Sequence, residues 1–160
     1  MGRPGVLTSC HQHQRDQGSY TDLRVAYYPP LLEPVPKDAV RCATHSDWGS
    51  ITLLVQGDCA GLEVLSRSGG WVPAPPVPGA VLLNVGDMME IWTDGEIVAT
   101  KHRVRVPEEE DLRRRDRLSL VYFVVPDEDT IIRRTTGPDI NTSKYGASKF
   151  AATMPTFTSE

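Results

Sequence analysis

Short β-branched and aromatic runs, each followed by proline or glycine, fill the middle of this sequence and constrain its fold most strongly. About eight such runs with regular turn signals are typical of a β-sandwich or barrel. Helical periodicity is missing over most of the chain, which argues against an α/β fold. The sequence therefore predicts an all-β fold, a double-stranded β-helix (jelly roll). The predicted strands are Leu23–Tyr28, Arg41–Asp47, Ile51–Gln56, Leu62–Leu65, Trp71–Val72, Ala80–Val85, Val98–Val106 and Arg117–Val125.

The length of 160 residues suggests one domain with flanking segments. Residues 1–20 are polar and without apolar periodicity, which predicts a disordered tail. Residues 21–126 hold the predicted strands and form the jelly-roll core. Residues 127–160 are a C-terminal extension, in which Ser143–Thr153 is predicted to form a short helix despite Gly146.

Composition excludes several classes of partner. A net charge of −4 gives no general case for a nucleic acid or an anionic membrane. The basic run Arg113–Arg115 follows acidic residues and is interpreted as a solvated loop. Cys10, Cys42 and Cys59 have unrelated spacings, which indicates reduced thiols and a cytoplasmic location. No apolar run has the length of a membrane span, and the first residues lack the apolar core of a signal peptide.

Three residues form a candidate metal site. His45 and Asp47 are two residues apart on a predicted strand, so their side chains share one face. His102 lies on a late strand that a jelly roll could bring beside them. Two histidines and one carboxylate typically bind Fe(II) on one face and leave the opposite side open, whereas zinc more often closes a tetrahedral shell. The His45–Asp47 pair alone is weak evidence, because a single histidine on a strand is usually packed or solvated.

Arg117 and Ser119 are a candidate anion site. They share one face of the last predicted strand, among residues that continue the core. An inward arginine is costly unless it meets an anion, and a guanidinium can hold a carboxylate through two parallel hydrogen bonds while a serine hydroxyl adds a third. The alternative is that Arg117 ends a charged loop and points outward.

Together these motifs resemble the catalytic core of the Fe(II)/2-oxoglutarate-dependent dioxygenases, in the isopenicillin N synthase-like group. The resemblance runs from Leu23 to about Pro126. It covers the segments Tyr27–Pro30, His45–Leu54, Gly61–Val64, Gly69–Ala80, Asn84–Asp87, Trp92–Gly95, Lys101–Val104 and Arg117–Ser119.

The resemblance assigns a role to each candidate residue. It implies that His45, Asp47 and His102 bind Fe(II) and that Arg117 and Ser119 hold the distal carboxylate of 2-oxoglutarate. Ascorbate is compatible with it as a further cofactor. Tyr28 is similar to a family tyrosine that hydrogen-bonds the co-substrate. Ala26 departs from the family, which usually has asparagine at this position.

The expected function is the oxidation or hydroxylation of a small organic substrate by O2, with release of succinate and CO2. About 20 unpatterned residues stand where family members normally carry a helical N-terminal region. The chain is therefore expected to be a fragment, an incomplete gene model or a degenerate member. The main alternative function is that of a truncated, non-catalytic member acting as a binding module. An oxidase of the isopenicillin N synthase kind, which needs no 2-oxoglutarate, is a third interpretation. The substrate and the oligomeric state are not indicated by the sequence.

Overall fold

The computed structural model describes residues 5–14, 16 and 19–153. Most of the regular structure is β, and the four helices of the described residues lie outside the two main sheets. The elements in chain order are α1 Val6–Ser9, β1 Asp22–Tyr28, β2 Val40–His45, β3 Ile51–Gln56, β4 Leu62–Leu65, β5 Trp71–Pro73, β6 Leu82–Val85, α2 Asp87–Trp92, β7 His102–Arg105, α3 Glu110–Arg113, β8 Arg117–Val124, β9 Ile131–Ile132, β10 Ile140–Asn141 and α4 Thr142–Thr153.

Eight strands form two antiparallel four-stranded sheets. One has the order β1-β8-β3-β6 and the other the order β2-β7-β4-β5. Strands that follow each other in sequence therefore mostly lie in different sheets, and β1 pairs with β8 although they are far apart in the chain. This arrangement confirms the predicted jelly roll, and α4 confirms the predicted C-terminal helix.

The two sheets enclose an apolar cluster of Leu54, Leu62 and Val104, against which Tyr28 and Val121 also pack. These residues lie on the inner faces, because side chains alternate between the two faces along each strand. One end of the interior is polar instead, since the start of β8, the end of β2 and the start of β7 bring charged and polar side chains inward.

A second apolar cluster lies outside the barrel. Met88 and Trp92 of α2 pack there with Val125 and Ile132. Burying one face of α2 in this way explains why residues 87–92 are helical in a chain otherwise rich in strands.

The N-terminal residues differ from the predicted disordered tail. Val6, Leu7 and Cys10 pack against the second cluster, and the backbone N–H groups of Gln12 and His13 donate to the Asp127 carboxylate at 2.8 and 2.9 Å. Apolar burial and these hydrogen bonds order residues 5–14, although the sequence has no periodic pattern there. Residues 1–4, 15, 17 and 18, also part of that prediction, lie outside the described residues.

Strand β7 is shorter than predicted. It begins at His102, whereas the alternating pattern predicted a strand from Val98. The preceding residues bond to α2 and to the turn after it, because the N–H of Ala99 donates to Glu90 Oε2 at 2.5 Å and that of Ile97 to Thr93 Oγ1 at 3.1 Å.

The predicted solvated loop around Arg113–Arg115 contains the short helix α3. None of the described helices combines the length and apolar character of a membrane span.

The hydrogen bonds of Asp127 predict that its ionised carboxylate holds the N-terminal residues in place. Burial works against its charge, yet the donated backbone hydrogen bonds and the nearby histidines hold the pKa of Asp127 below its ordinary value of 3.8. A lowered folded-state pKa stabilises the docked segment above pH 3.8, and the stabilisation is lost as the pH falls through the lower value. We expect Asp127→Asn to speed hydrogen exchange at the Gln12 and His13 amides at neutral pH.

The exposed neighbour Asp129 provides the control, and Asp129→Asn should leave this exchange unchanged. Equal protection of the Gln12 and His13 amides in wild type and Asp127→Asn at neutral pH would contradict the prediction.

Candidate functional site

His45, Asp47 and His102 converge at one end of the barrel. His45 ends β2 and is the Cα partner of His102, which begins β7. The two imidazole centroids are 4.3 Å apart. Asp47 Oδ1 lies 3.9 Å from His45 Nε2 and 3.6 Å from His102 Nε2. One potential ligand atom from each residue thus lies within 4.8 Å of the other two, a spacing that suits three ligands on one face of a single ion.

Backbone carbonyls orient both histidine rings. His45 Nδ1 donates to the Ala43 carbonyl at 2.8 Å, and His102 Nδ1 donates to the Thr100 carbonyl at 3.1 Å. A carbonyl can only accept, so a neutral ring in this position carries its proton on Nδ1. The Nε2 lone pairs are then free to bind a metal, with the carbonyls fixing each ring as is usual behind metal-bound histidines.

Asp47 differs from the sequence prediction in its location. It lies in the loop after β2 rather than on the strand, because its carbonyl accepts a 2.7 Å hydrogen bond from the N–H of Asp87 instead of pairing in the sheet. Its side chain is nevertheless buried beside the histidines. Asn84 Nδ2 on β6 donates to Asp47 Oδ2 at 3.5 Å, which leaves Oδ1 directed toward the two imidazoles.

Two turns interlock behind this loop. The N–H of Gly86 donates to the Ser50 carbonyl at 3.0 Å, and that of Met88 to the Gly49 carbonyl at 3.1 Å. A Cβ on Gly86 would overlap the Gly49 carbonyl oxygen, so only glycine allows the two backbones to approach this closely. The Asp47 loop is therefore fixed by backbone contacts.

The Cys42 thiol lies 3.8 Å from His45 Nδ1. This contact, together with the Ala43 carbonyl and the Asp47 charge and against the effect of burial, raises the pKa of His45 to about 9. The same contact lowers the pKa of Cys42. A metal ion that binds the His45 imidazole competes with a proton for it.

A second group of polar residues surrounds Arg117, which is 2% exposed. Its Nη1 donates to Ser119 Oγ at 3.4 Å and its Nη2 to Gln56 Oε1 at 3.2 Å, while its buried Nε has no hydrogen-bond partner in the part of the chain that the structure describes. The Tyr28 ring lies 5.3 Å from the guanidinium carbon, and Tyr28 and Arg117 are Cα partners in adjacent strands.

The charge of Arg117 has no carboxylate within ion-pair distance among the described residues. Burial lowers the pKa of Arg117 and raises that of Tyr28. A buried guanidinium that keeps an unpaired N–H and lacks a counter-ion is costly unless an anion completes it. This arrangement excludes the alternative that Arg117 points outward, and it suits the carboxylate of a ligand.

Sequence reasoning missed two polar residues of the site, Gln56 and Asn84. Both lie in strands predicted to be apolar, and each points to the interior because its neighbours along the strand point outward. A polar residue at an inward position was therefore the signal that could have identified them. Cys42 was also missed as a neighbour of His45. It packs against the same apolar cluster as Tyr28 and thus lies between the two polar groups.

A separate cavity of about 820 Å³ is lined by Ser46, Asp87, Glu90, Thr100 and Tyr145, among others. Ser46 and Thr100 flank the histidines in sequence, but none of His45, Asp47 and His102 lines the cavity. It adjoins the candidate metal site without opening onto the potential ligand atoms.

Comparisons with known proteins agree with this geometry. A family model for the 2OG-Fe(II) oxygenase superfamily matches residues 20–126. The 2-oxoglutarate-dependent dioxygenase htyE of Aspergillus rugulosus is 33% identical over 134 residues, which are 79% of this chain and 39% of that protein. Gibberellin 3-beta-dioxygenase 2 of Arabidopsis thaliana is 38% identical over 116 residues, 72% of this chain and 31% of that protein.

A solved structure has the same architecture. The crystal structure of a full-length Neurospora crassa protein in complex with alpha-KG aligns with a TM-score of 0.74 and 31% identity, over 81% of this chain and 44% of that chain. This chain therefore belongs to the 2OG-Fe(II) oxygenase superfamily, whose cofactors are Fe(2+) and 2-oxoglutarate. It spans less than half the length of each of these relatives.

The interlocked turns predict an effect of Gly86→Ala. Because the new Cβ would meet backbone atoms that cannot rotate away, we expect the free energy of unfolding to fall by about 2 kcal/mol or more. Asp47 should also be displaced, which would weaken metal binding. Urea denaturation and Mn(2+) calorimetry measure the two effects.

Gly70→Ala is the matched control, since a Cβ there would lie at an ordinary 3.7 Å from Ser66 Oγ. If Gly86→Ala were no less stable than Gly70→Ala, the close approach at Gly86 would not be required.

Proposed function

We propose that this chain is the catalytic core of an Fe(II)- and 2-oxoglutarate-dependent oxygenase that hydroxylates or otherwise oxidises a small organic substrate, with release of succinate and CO2. The observation that carries the proposal is the convergence of two imidazoles and one carboxylate within 4.8 Å, inside a barrel that also buries Arg117, which has no carboxylate partner among the described residues.

The donor set fits iron. In this proposal His45, Asp47 and His102 bind Fe(II) through two neutral imidazole nitrogens and one carboxylate oxygen, a combination that suits non-haem iron and leaves positions for other ligands. Iron and 2-oxoglutarate, when bound, supply the activation of O2. The carbonyls of Ala43 and Thr100 hold the rings in place.

The surroundings of Arg117 fit the co-substrate. We assign the distal carboxylate of 2-oxoglutarate to Arg117 and Ser119, with the Tyr28 hydroxyl as a further candidate donor. Gln56 acts through Arg117, because its side-chain oxygen accepts from Nη2 while its Nε2 donates to the Ala74 carbonyl at 3.1 Å. The apolar cluster beside them excludes water, which strengthens each polar contact.

Two alternatives are weaker. An oxidase that uses no 2-oxoglutarate would leave the Arg117 charge without a partner, and the buried, unpaired Nε speaks against that. A truncated, non-catalytic binding module that held no metal would not need three metal-binding groups oriented by backbone carbonyls and Asn84.

Three further parts of the proposal concern the whole chain. We propose that residues 21–126 are the catalytic core and that residues 127–160 are a C-terminal extension. Three free cysteines, Cys10, Cys42 and Cys59, support a cytoplasmic location. Ascorbate is a candidate additional cofactor, to be included in one arm of each activity assay.

Asp47→Ala tests the metal site. Losing even an outer partner of a metal ligand typically costs about 10- to 100-fold, so removing a ligand should lower succinate formation by about 100-fold or more. The assay supplies Fe(II), 2-oxoglutarate and O2 to the 160-residue chain, with and without a panel of small molecules, and calorimetry with Mn(2+) should show weaker metal binding.

The exposed Asp38 gives a control of the same chemistry, and Asp38→Ala should match wild type. Metal-dependent turnover that survives Asp47→Ala would refute the assignment of the ligands. Binding of Mn(2+) and 2-oxoglutarate without O2 consumption under any condition would support the non-catalytic alternative.

Arg117→Lys and Ser119→Ala test the co-substrate site. Lysine keeps the charge but cannot form the bidentate hydrogen bonds that a guanidinium makes with a carboxylate. Because a charge-assisted hydrogen bond contributes about 1.5–3 kcal/mol, the KM for 2-oxoglutarate should rise about 10- to 100-fold. Ser119→Ala removes one hydrogen bond to the charged carboxylate and should also raise this KM about 10- to 100-fold.

Arg114→Lys, at an exposed position, controls for the substitution itself. Calorimetric binding of 2-oxoglutarate to the Mn(2+)-loaded protein gives a readout that does not need turnover. Unchanged 2-oxoglutarate affinity in Arg117→Lys would place the co-substrate carboxylate elsewhere.

A further inference from the structure

The carboxylate of Asp87 joins the C-terminal helix α4 to the turn that begins α2. Its Oδ2 accepts hydrogen bonds from the Tyr145 hydroxyl and from Lys149 Nζ, both at 2.9 Å. Tyr145 and Lys149 are four residues apart on α4, so they lie on the same face of the helix. Only 14% of the Asp87 side chain is exposed, and a carboxylate covered to this extent needs such donors. These three side chains form the Asp87 network.

The backbone of Asp87 contacts the Asp47 loop. Its N–H donates to the Asp47 carbonyl at 2.7 Å. Ser46, the residue before Asp47, lies beside the Asp87 carboxylate. Burial raises the pKa of Asp87, but Ser46 and the two α4 side chains together hold it below its ordinary value of 3.8. Asp87 therefore contacts the Asp47 loop through its main chain and α4 through its side chain.

Other contacts attach α4 to the rest of the structure. The N–H of Thr142 donates to the Thr130 carbonyl at 3.1 Å, and the Tyr145 ring packs against the second apolar cluster. These contacts do not involve the Asp87 carboxylate. Attachment of the helix alone therefore does not explain why a charged side chain is covered at this position, next to the loop that carries a potential metal ligand.

We propose that Asp87 is a positioning residue of the candidate metal site and that Tyr145 and Lys149 hold its carboxylate in place. Asp87 acts through its N–H, which fixes the Asp47 carbonyl and so limits the directions that the Asp47 side chain can take. Groups that orient a metal ligand without touching the ion typically change metal affinity by about 10- to 100-fold. This inference rests on the proposed function, because it requires that Asp47 binds the metal.

Metal titration of the 160-residue chain tests the proposal without turnover. We expect Asp87→Ala to raise the Mn(2+) dissociation constant in calorimetry by about 10- to 100-fold. Tyr145→Phe keeps the packed ring and removes the hydroxyl, whereas Lys149→Met removes the charge. Each should raise the constant by about 3-fold or more, because each acts one step further from the ion. The visible absorption of the Co(2+)-loaded protein, which reports ligand geometry, should change in the same variants.

A double variant shows whether Lys149 acts through Asp87. Residues of one network are not additive, so Lys149→Met should add almost nothing to the effect of Asp87→Ala. Lys144→Met, at an exposed position of the same helix, is the matched control and should bind Mn(2+) as wild type does. Far-UV circular dichroism and urea denaturation check that each variant is folded during the titration.

Wild-type Mn(2+) affinity and Co(2+) absorption in both Tyr145→Phe and Lys149→Met would overturn the proposal and leave the proposed function intact. The network would then only attach α4. Additive losses in the double variant, or an equal loss in Lys144→Met, would also overturn it. If Asp87→Ala does not fold, Tyr145→Phe and Lys149→Met decide. A wild type that binds no Mn(2+) would refute the proposed metal site itself, and this inference with it.

Discussion

Strand β8 reverses the usual distribution of side chains in an antiparallel sheet, and much of the structure depends on this reversal. Its inward positions Arg117 and Ser119 are polar, whereas its outward neighbours Leu118 and Leu120 are apolar. A guanidinium inside a barrel is tolerated only where other groups solvate it. The Ser119 hydroxyl and the Gln56 side chain do so in part. Arg117 Nε has no hydrogen-bond partner among the described residues, which makes this end of the interior a candidate site for an anion.

The candidate metal site depends on a different kind of constraint, which is the fixing of backbone. His45 and His102 are placed by cross-strand pairing, but Asp47 lies beyond the end of β2 and is held by contacts with the turn at Gly86 and Asp87. The three side chains meet because two strands and two interlocked turns converge at one end of the barrel. Neither pairing nor the turns alone would bring a carboxylate to both imidazoles.

The strands and the candidate site residues could be predicted from the sequence, because alternation along strands and the order of distant motifs are local and familiar signals. Gln56 and Asn84 were not recognised, since each is a single polar residue in an apolar run. The end of β2 before Asp47 and the late start of β7 also escaped prediction. The first depends on a hydrogen bond to the start of α2, and the second on hydrogen bonds to α2 and the turn after it. Such contacts between distant residues produce no periodic pattern in the sequence. The docking of the N-terminal residues was missed for the same reason.

The pairing of β1 with β8 has a consequence for the order in which this molecule can be assembled. Asp22 is the Cα partner of Phe123, and Tyr28 that of Arg117, so the candidate anion site joins residues that are synthesised far apart in time. Contacts of such large sequence separation slow folding, because the entropy of closing the intervening loop must be overcome first. During synthesis β1 has to wait for β8 to leave the ribosome, and until then its backbone N–H and C=O groups lack the strand that pairs with them in the sheet.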